Sequence, residues 1–232
     1  MAVVLGPDEA RAQAALAALC DPDRSVRALG EALFKSRDDA SSTRLARLLR
    51  PHARRIVDKD ALARFATSRL KRKATGDDPV LALLSEASPE RFVASMREAA
   101  RAAIAGKDLE RARALLAQIL RSAGATDDDR LALALLELRR SNRGLAGHAR
   151  QQDPALVLLC ELARRGAPIA EALAADKSIE PELRFFVGFH LAELREGEGR
   201  EAGHEVLLPL AKGRTKLSKQ AKNKLKLTGY ED

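Results

Sequence analysis

Apolar residues recur along the chain at steps of three and four, and Gly, Pro or an Asp/Ser cap interrupts them roughly every 12 to 20 residues. This spacing predicts a succession of short amphipathic helices, and no run alternates as a half-buried strand would. Ala12, Ala15, Leu16 and Leu19 make one stripe, and Val26, Leu29 and Leu33 make the next, beyond the turn Asp21-Pro-Asp-Arg-Ser-Val-Arg27. Helices are predicted at 41–57, with Pro51 either kinking the helix or opening a new one, and at 60–73 behind an Asp60 cap. The pattern pauses at Thr75-Gly-Asp-Asp-Pro79, the best candidate for an internal boundary. From Pro89 to Gly124 it is most regular. Ala99, Ala100 and Ala103 line one helix, Gly106-Lys-Asp108 turns the chain, and Ala112, Leu115, Leu116 and Ile119 line the next. Small residues at facing positions let helices approach closely, which places Ala100 and Ala112 at a close contact. A last pair is expected from Glu182 to Arg195 and from Arg200 to Ala211, turning at Gly197-Glu-Gly199, with Phe185, Phe186 and Phe189 as the packing centre of the C-terminal half.

Composition agrees with the periodicity. The 232 residues include 44 Ala and 37 Leu, both strong helix formers, but only one Tyr and no Trp, so any fold needing a large sheet is discarded. The expected fold is all-α, with about twelve to fourteen helices arranged as antiparallel hairpins stacked into a curved α-solenoid. Two stretches carry a family resemblance. Ala17-Ala-Leu-Cys-Asp-Pro-Asp-Arg-Ser-Val-Arg27, within residues 12–36, resembles the turn of a HEAT repeat, in which an Asp ends one helix and a Val-Arg pair opens the next. Residues 89–154 resemble tetratricopeptide repeats. With Ala112 as the small helix-B residue, Ala100 takes the small helix-A position, Leu116 the usual Phe, and Gly124 falls near the closing Pro. Met96, Ala103 and Ile119 depart from that pattern, while Ala134 and Ala146 repeat the two small positions 34 residues on. The resulting division is a HEAT-like segment at 1–75, tetratricopeptide-like repeats at 76–211, and a basic amphipathic capping helix and tail at 212–232, all in one continuous solenoid.

Catalytic signatures are missing. His204-Glu205 begins a zinc-protease motif, but Leu208 stands where the second His belongs. Four His and two Cys are scattered without ligand spacing, and His190 beside the Phe cluster reads as a core or boundary histidine. Gly197-x-Gly199-x-x-x-Gly203 reads as a turn, because Glu196, Glu198 and Glu201 would repel a phosphate. Gly106-Lys107 lacks the rest of a phosphate loop, and no Gly-x-Ser-x-Gly elbow occurs. Asp127-Asp-Asp129 sits where a helix N-terminal cap is expected. A non-enzymatic protein without metal or cofactor is the expectation. The opening Met1-Ala-Val-Val-Leu-Gly6 has no preceding cation, Leu19 spoils a lipoprotein box before Cys20, and no apolar run is long enough to span a membrane. With Cys20 and Cys160 far apart, both as buried small hydrophobes, a reducing cytoplasm is the expected location.

Charge is the uneven quantity. Residues 40–75 carry eleven Lys or Arg against Asp58 and Asp60, a balance of +9, and 212–226 carry seven cations and no acid, so the rest of this +8 chain is acidic. In the first block Arg44, Arg47 and Arg54 recur on one exposed side while Leu45, Leu48, Leu49 and Ile56 face inward, and Arg69, Lys71, Arg72 and Lys73 end the following helix, where they complement its dipole. In the second, Leu217, Ala221 and Leu225 form one stripe and Lys219, Lys222 and Lys226 the nearly opposite one. With Lys212, Arg214, Lys216 and Lys224 these residues form a capping helix or a contact for an anionic partner.

The leading functional expectation is a scaffold whose groove binds a protein or peptide segment, as the repeat resemblance implies. Its rival is a solenoid that binds the nucleic-acid backbone through the two basic blocks. A third reading is a HEAT-like DNA glycosylase, whose aromatic cradle and catalytic Asp cannot be placed on this sequence.

Overall fold

A computed structural model of the chain describes residues 22–72, 78–141, 153–195, 197 and 199–230. Among these residues it is all-helical, with twelve α-helices, one 3₁₀ segment and no strand. The chain forms two compact units, residues 1–125 and 126–232.

The first unit contains α1 (Pro22–Lys35), α2 (Asp39–Leu49), a 3₁₀ segment (Arg50–Arg55), α3 (Lys59–Lys71), α4 (Pro79–Ala87), α5 (Pro89–Ala105) and α6 (Leu109–Ile119). Its helix starts are written in the sequence. Asp38, Asp58, Asp78 and Asp108 each accept a hydrogen bond from a first-turn backbone N–H, satisfying donors that a helix leaves open. Pro22, Pro79 and Pro89 each stand first in a helix, where the missing N–H has no cost. Pro51 resolves the choice left open by the pattern: it begins the 3₁₀ segment, and His52 leaves helical geometry at φ −113°. The cap of α3 is Asp58, whose Oδ1 accepts from Ala61 N at 2.7 Å; Asp60 lies in the first turn. The expectation of an Asp60 cap is thereby corrected.

α1 packs on α2 and α3, α4 on α2 and α3, α5 on α3 and α4, and α6 on α5. The predicted stripes supply this core: Val26, Leu29 and Leu33 from α1, Leu45, Leu48 and Leu49 from α2, and Leu62 and Leu70 from α3 are buried. Ala100 and Ala112 are buried where α5 meets α6, and the intervening turn puts Lys107, not Gly106, in left-handed geometry at φ 59°. Of the predicted pause at 75–79, residues 75–77 lie outside the described residues, as do 73 and 74 before it and the predicted helix at 8–20. The helices flanking 73–77, α3 and α4, pack directly together.

The second unit contains α7 (Asp127–Ser141), α8 (Pro154–Ala163), α9 (Ile169–Ala175), α10 (Pro181–Leu191), α11 (Arg200–Ala211) and α12 (Lys216–Leu227). Asp129 is buried and accepts from both Thr126 N and Thr126 Oγ1, tying down the start of α7. Leu159, Leu162, Leu183, Val187 and Leu191 centre one core, and Leu207, Ala211, Ala221 and Leu225 a second, under α12. Burial of the Asp176 carboxyl raises its pKa, but hydrogen bonds from Ser178 and from Arg139, at 2.6 Å, outweigh this and hold it below the usual range.

Two expectations change in this unit. Phe185, Phe186 and Phe189 are only half-buried and lie at the edge of the core, because Leu183, Val187 and Leu191 occupy the inward side of α10. Gly203 is not in a turn but inside α11, where it lets that helix come against the backbone of Leu191 and Ala192. Gly188 of α10 plays the reciprocal part against Val206 and Leu207.

Candidate functional site

The first unit holds a continuous groove along α3 and α5. Two clefts form it, of about 280 and 520 Å³, and they share Thr67, Lys71 and Glu98. From α3 the lining residues are Asp60, Ala63, Arg64, Thr67, Ser68, Leu70 and Lys71, which is one face at three- and four-residue steps; α5 presents Arg91, Ala94, Ser95, Glu98, Ala99 and Ala102. Small side chains make the space: Ala63 and Ala94 at one end, and Ala99, Ala102, Ala103 and Gly106 at the other.

The walls are fixed by their own hydrogen bonds. Arg91 pairs with Asp60 at 2.9 Å, and Thr67 Oγ1 donates to Ser95 Oγ at 3.2 Å, joining α3 to α5 across the floor. Arg111 closes the far end by donating from Nη2 to the Leu70 carbonyl, one of the acceptors that a helix C-terminus leaves open. Arg64, Lys71 and Glu98 line the groove with no hydrogen-bond or ion-pair partner among the described residues. The groove therefore combines an apolar floor of small side chains with charges of both signs at its rim.

The cations of the first basic block are placed unequally. Arg44 and Arg47 of α2 and Arg54 of the 3₁₀ segment are exposed, as are Lys71 and Arg72 at the end of α3. Arg69 is different: its guanidinium is only 11% exposed and bridges Asp39 at 2.8 Å and Asp78 at 2.7 Å. Burial opposes its charge, yet the hydrogen bond and charge of Asp78, then those of Asp39, hold its pKa above the usual value. Arg69 is thus a tie between α2, α3 and the cap of α4. Lys73 lies outside the described residues.

In the second block, Lys212, Arg214, Lys216, Lys219, Lys222 and Lys226 are exposed, whereas Lys224 turns inward. Its Nζ lies 2.7 Å from Glu193 Oε1 and 3.6 Å above the centre of the Phe189 ring, a cation held by a carboxylate and an aromatic face. The signal that separated Lys224 from its neighbours was its position on the wheel, on the same side as Leu217 and Ala221.

His190 stands edge-on to Phe186 and Phe189, and burial lowers its pKa, with Glu193 acting in the opposite sense. Burial raises the pKa of the half-buried Cys160 thiol, which makes it a poor nucleophile. Cys20 lies outside the described residues. Among the described residues no group of three or more His, Cys, Asp or Glu converges as a metal site, and no helix is long and apolar enough to cross a membrane. Set against protein-family models, curated proteins and solved structures, the chain matches none.

Proposed function

We propose that this chain is a non-enzymatic helical-repeat scaffold, built of stacked antiparallel hairpins in the manner of HEAT and tetratricopeptide arrays, whose α3–α5 groove holds an extended peptide segment of a partner protein. The groove is the observation that carries this reading. Between Asp60 and Lys71 it runs for about 17 Å at 1.5 Å per residue, which accommodates about five residues of extended chain at roughly 3.3 Å each. Its small apolar floor suits short apolar side chains, and Arg64, Lys71 and Glu98, which have no partner among the described residues, offer their charges to the peptide's polar groups. Bonds such as those from Thr67 to Ser95 and from Arg91 to Asp60 fix the walls in advance, which lowers the ordering cost of binding.

The test is selection of short peptides from a random library on the whole chain, followed by titration against groove variants. Ala94 and Ala102 are exposed at the two ends, so Ala94→Trp and Ala102→Trp fill the groove without entering the core. Each should weaken the selected peptides about tenfold or more, while Ala114→Trp, at an exposed position of α6 outside the groove, should not. Equal affinity of all three variants overturns the proposal.

A further inference from the structure

The other surface that asks for a partner is α12, in the second unit, and its reading is independent of the groove. Lys216, Lys219, Asn223 and Lys226 follow one another at steps of three, four and three, a straight polar line about 15 Å long. Gln220 and Lys222 flank it, and Lys212 and Arg214 extend the positive charge into the preceding turn. No acidic residue interrupts the sequence from Lys212 to Tyr230. None of the six exposed cations pairs with a described carboxylate.

The face is also held in place. Ala221, Leu225 and Ser218 are buried on the opposite side, against α10 and α11. Lys224 adds a lock, because its ion pair with Glu193 and its seat over Phe189 fix the rotation of α12 about its axis. Thr215 caps the helix by accepting from Ser218 N at 3.1 Å. A capping role asks only for a polar outer face, whereas the exposed charges of this face are all of one sign.

We infer that the exposed face of α12 docks on the phosphate backbone of duplex nucleic acid. A duplex presents one negative charge per roughly 1.7 Å of its axis, about nine over the length of this line, so Lys216, Lys219 and Lys226 and the flanking Lys222 each have phosphates to face. A single strand is the poorer fit, because the face carries no aromatic ring on which bases could stack; Tyr230 is turned against His204. A membrane surface fits worse. The apolar stripe of α12 is already buried in the protein, and Leu227, 84% exposed, is the single large apolar side chain on its outer side.

The experiment is fluorescence anisotropy of the full chain with labelled DNA duplexes of about 20 base pairs and unrelated sequences. Binding should weaken as salt rises from about 0.05 to 0.2 M and should be similar for every sequence, since backbone contacts carry no sequence information. The triple variant K219Q/K222Q/K226Q should shallow the double-logarithmic salt slope by up to about 2.7, at about 0.9 per phosphate lost. K219R/K222R/K226R should restore it. A control with the same loss of net charge elsewhere, K35Q/R121Q/K177Q, should change the slope by less than about one. Absence of duplex binding at about 0.1 M salt overturns the inference, as does a control variant that shallows the slope as much as the α12 variant. Preferential binding to phosphatidylserine vesicles or to polyglutamate overturns it as well and assigns the face to a membrane or to an acidic protein.

Discussion

Adding one methyl group to a helix interior should have opposite effects at Gly203 and at Gly30. Both lie inside helices, where replacing Gly by Ala contributes about 0.5–1 kcal/mol through backbone entropy alone. Among the described residues a Cβ at Gly30 would meet Phe34 Cε2 alone, at 3.9 Å, an ordinary contact, so Gly30→Ala should stabilise by about that amount. A Cβ at Gly203 would fall on the backbone nitrogen of Ala192, 2.6 Å from the carbonyl carbon of Leu191 and 2.7 Å from the Ala192 Cα. Comfortable carbon contacts begin near roughly 3.5 Å, so α11 and α10 would have to separate by about 1 Å. Backbone cannot rotate away as a side chain can, which puts the cost near the upper end of the roughly 1–3 kcal/mol typical of overpacking. After the gain in helix propensity, Gly203→Ala should destabilise by about 2 kcal/mol. Thermal unfolding followed by far-ultraviolet circular dichroism reads this directly: at about 2–4 °C per kcal/mol for a chain of this length, the midpoint should fall by about 4–8 °C for Gly203→Ala and rise by about 1–4 °C for Gly30→Ala. A neutral or stabilising Gly203→Ala would refute the close approach of α10 and α11.

Ala100 and Ala112 are buried where α5 meets α6, so Ala100→Leu or Ala112→Leu should cost about 1–3 kcal/mol, read as a lower urea midpoint; an unchanged midpoint would show that the two positions have room to spare. Burial lowers the pKa of His190 and His204 in the fold below the usual 6.5, so the unfolded chain binds these protons first. Stability should therefore be full above about pH 6.5 and decline as pH falls through that value toward the lower folded pKa values, and His190→Gln should flatten part of the decline; a pH-independent midpoint between about pH 5 and 7 would contradict this. Because Ala221 and Leu225 cover Leu207 and Ala211, removing residues 212–232 should uncover an apolar surface and cause aggregation, measurable by light scattering.

The all-helical class was legible because the sequence repeats the period of a helix and places Asp-Pro or Asp caps at its breaks; the stripes Val26, Leu29, Leu33 and Ala221, Leu225 turned inward as expected, while Leu217 is only half-buried. What the sequence concealed depended on distant partners. The pattern put the cap at Asp60, and only the helix start at Lys59 shows that Asp58 takes that place. Three Phe at helical spacing suggest a core, yet on α10 the inward side belongs to Leu183, Val187 and Leu191, and the rings are left to hold His190 and Lys224. Arg69 looked like its exposed neighbours because Asp78, which neutralises it, lies nine residues away, and although the wheel puts Lys224 on the inward side, its partner Glu193, 31 residues away, is not readable from the sequence. The groove was hidden for the same reason. Its two walls come from residues 60–71 and 91–106, and neither stripe of small and polar side chains announces a site until α3 and α5 are packed together.

The most direct test of the central claim is hydrogen–deuterium exchange of the whole chain with and without a peptide selected for binding. Peptide in the α3–α5 groove should slow exchange over residues 59–71 and 89–106 and leave α12 unchanged, with the effect lost in Ala102→Trp. Protection that spares α3 and α5, or that survives Ala102→Trp undiminished, would contradict the assignment of the groove as the binding site.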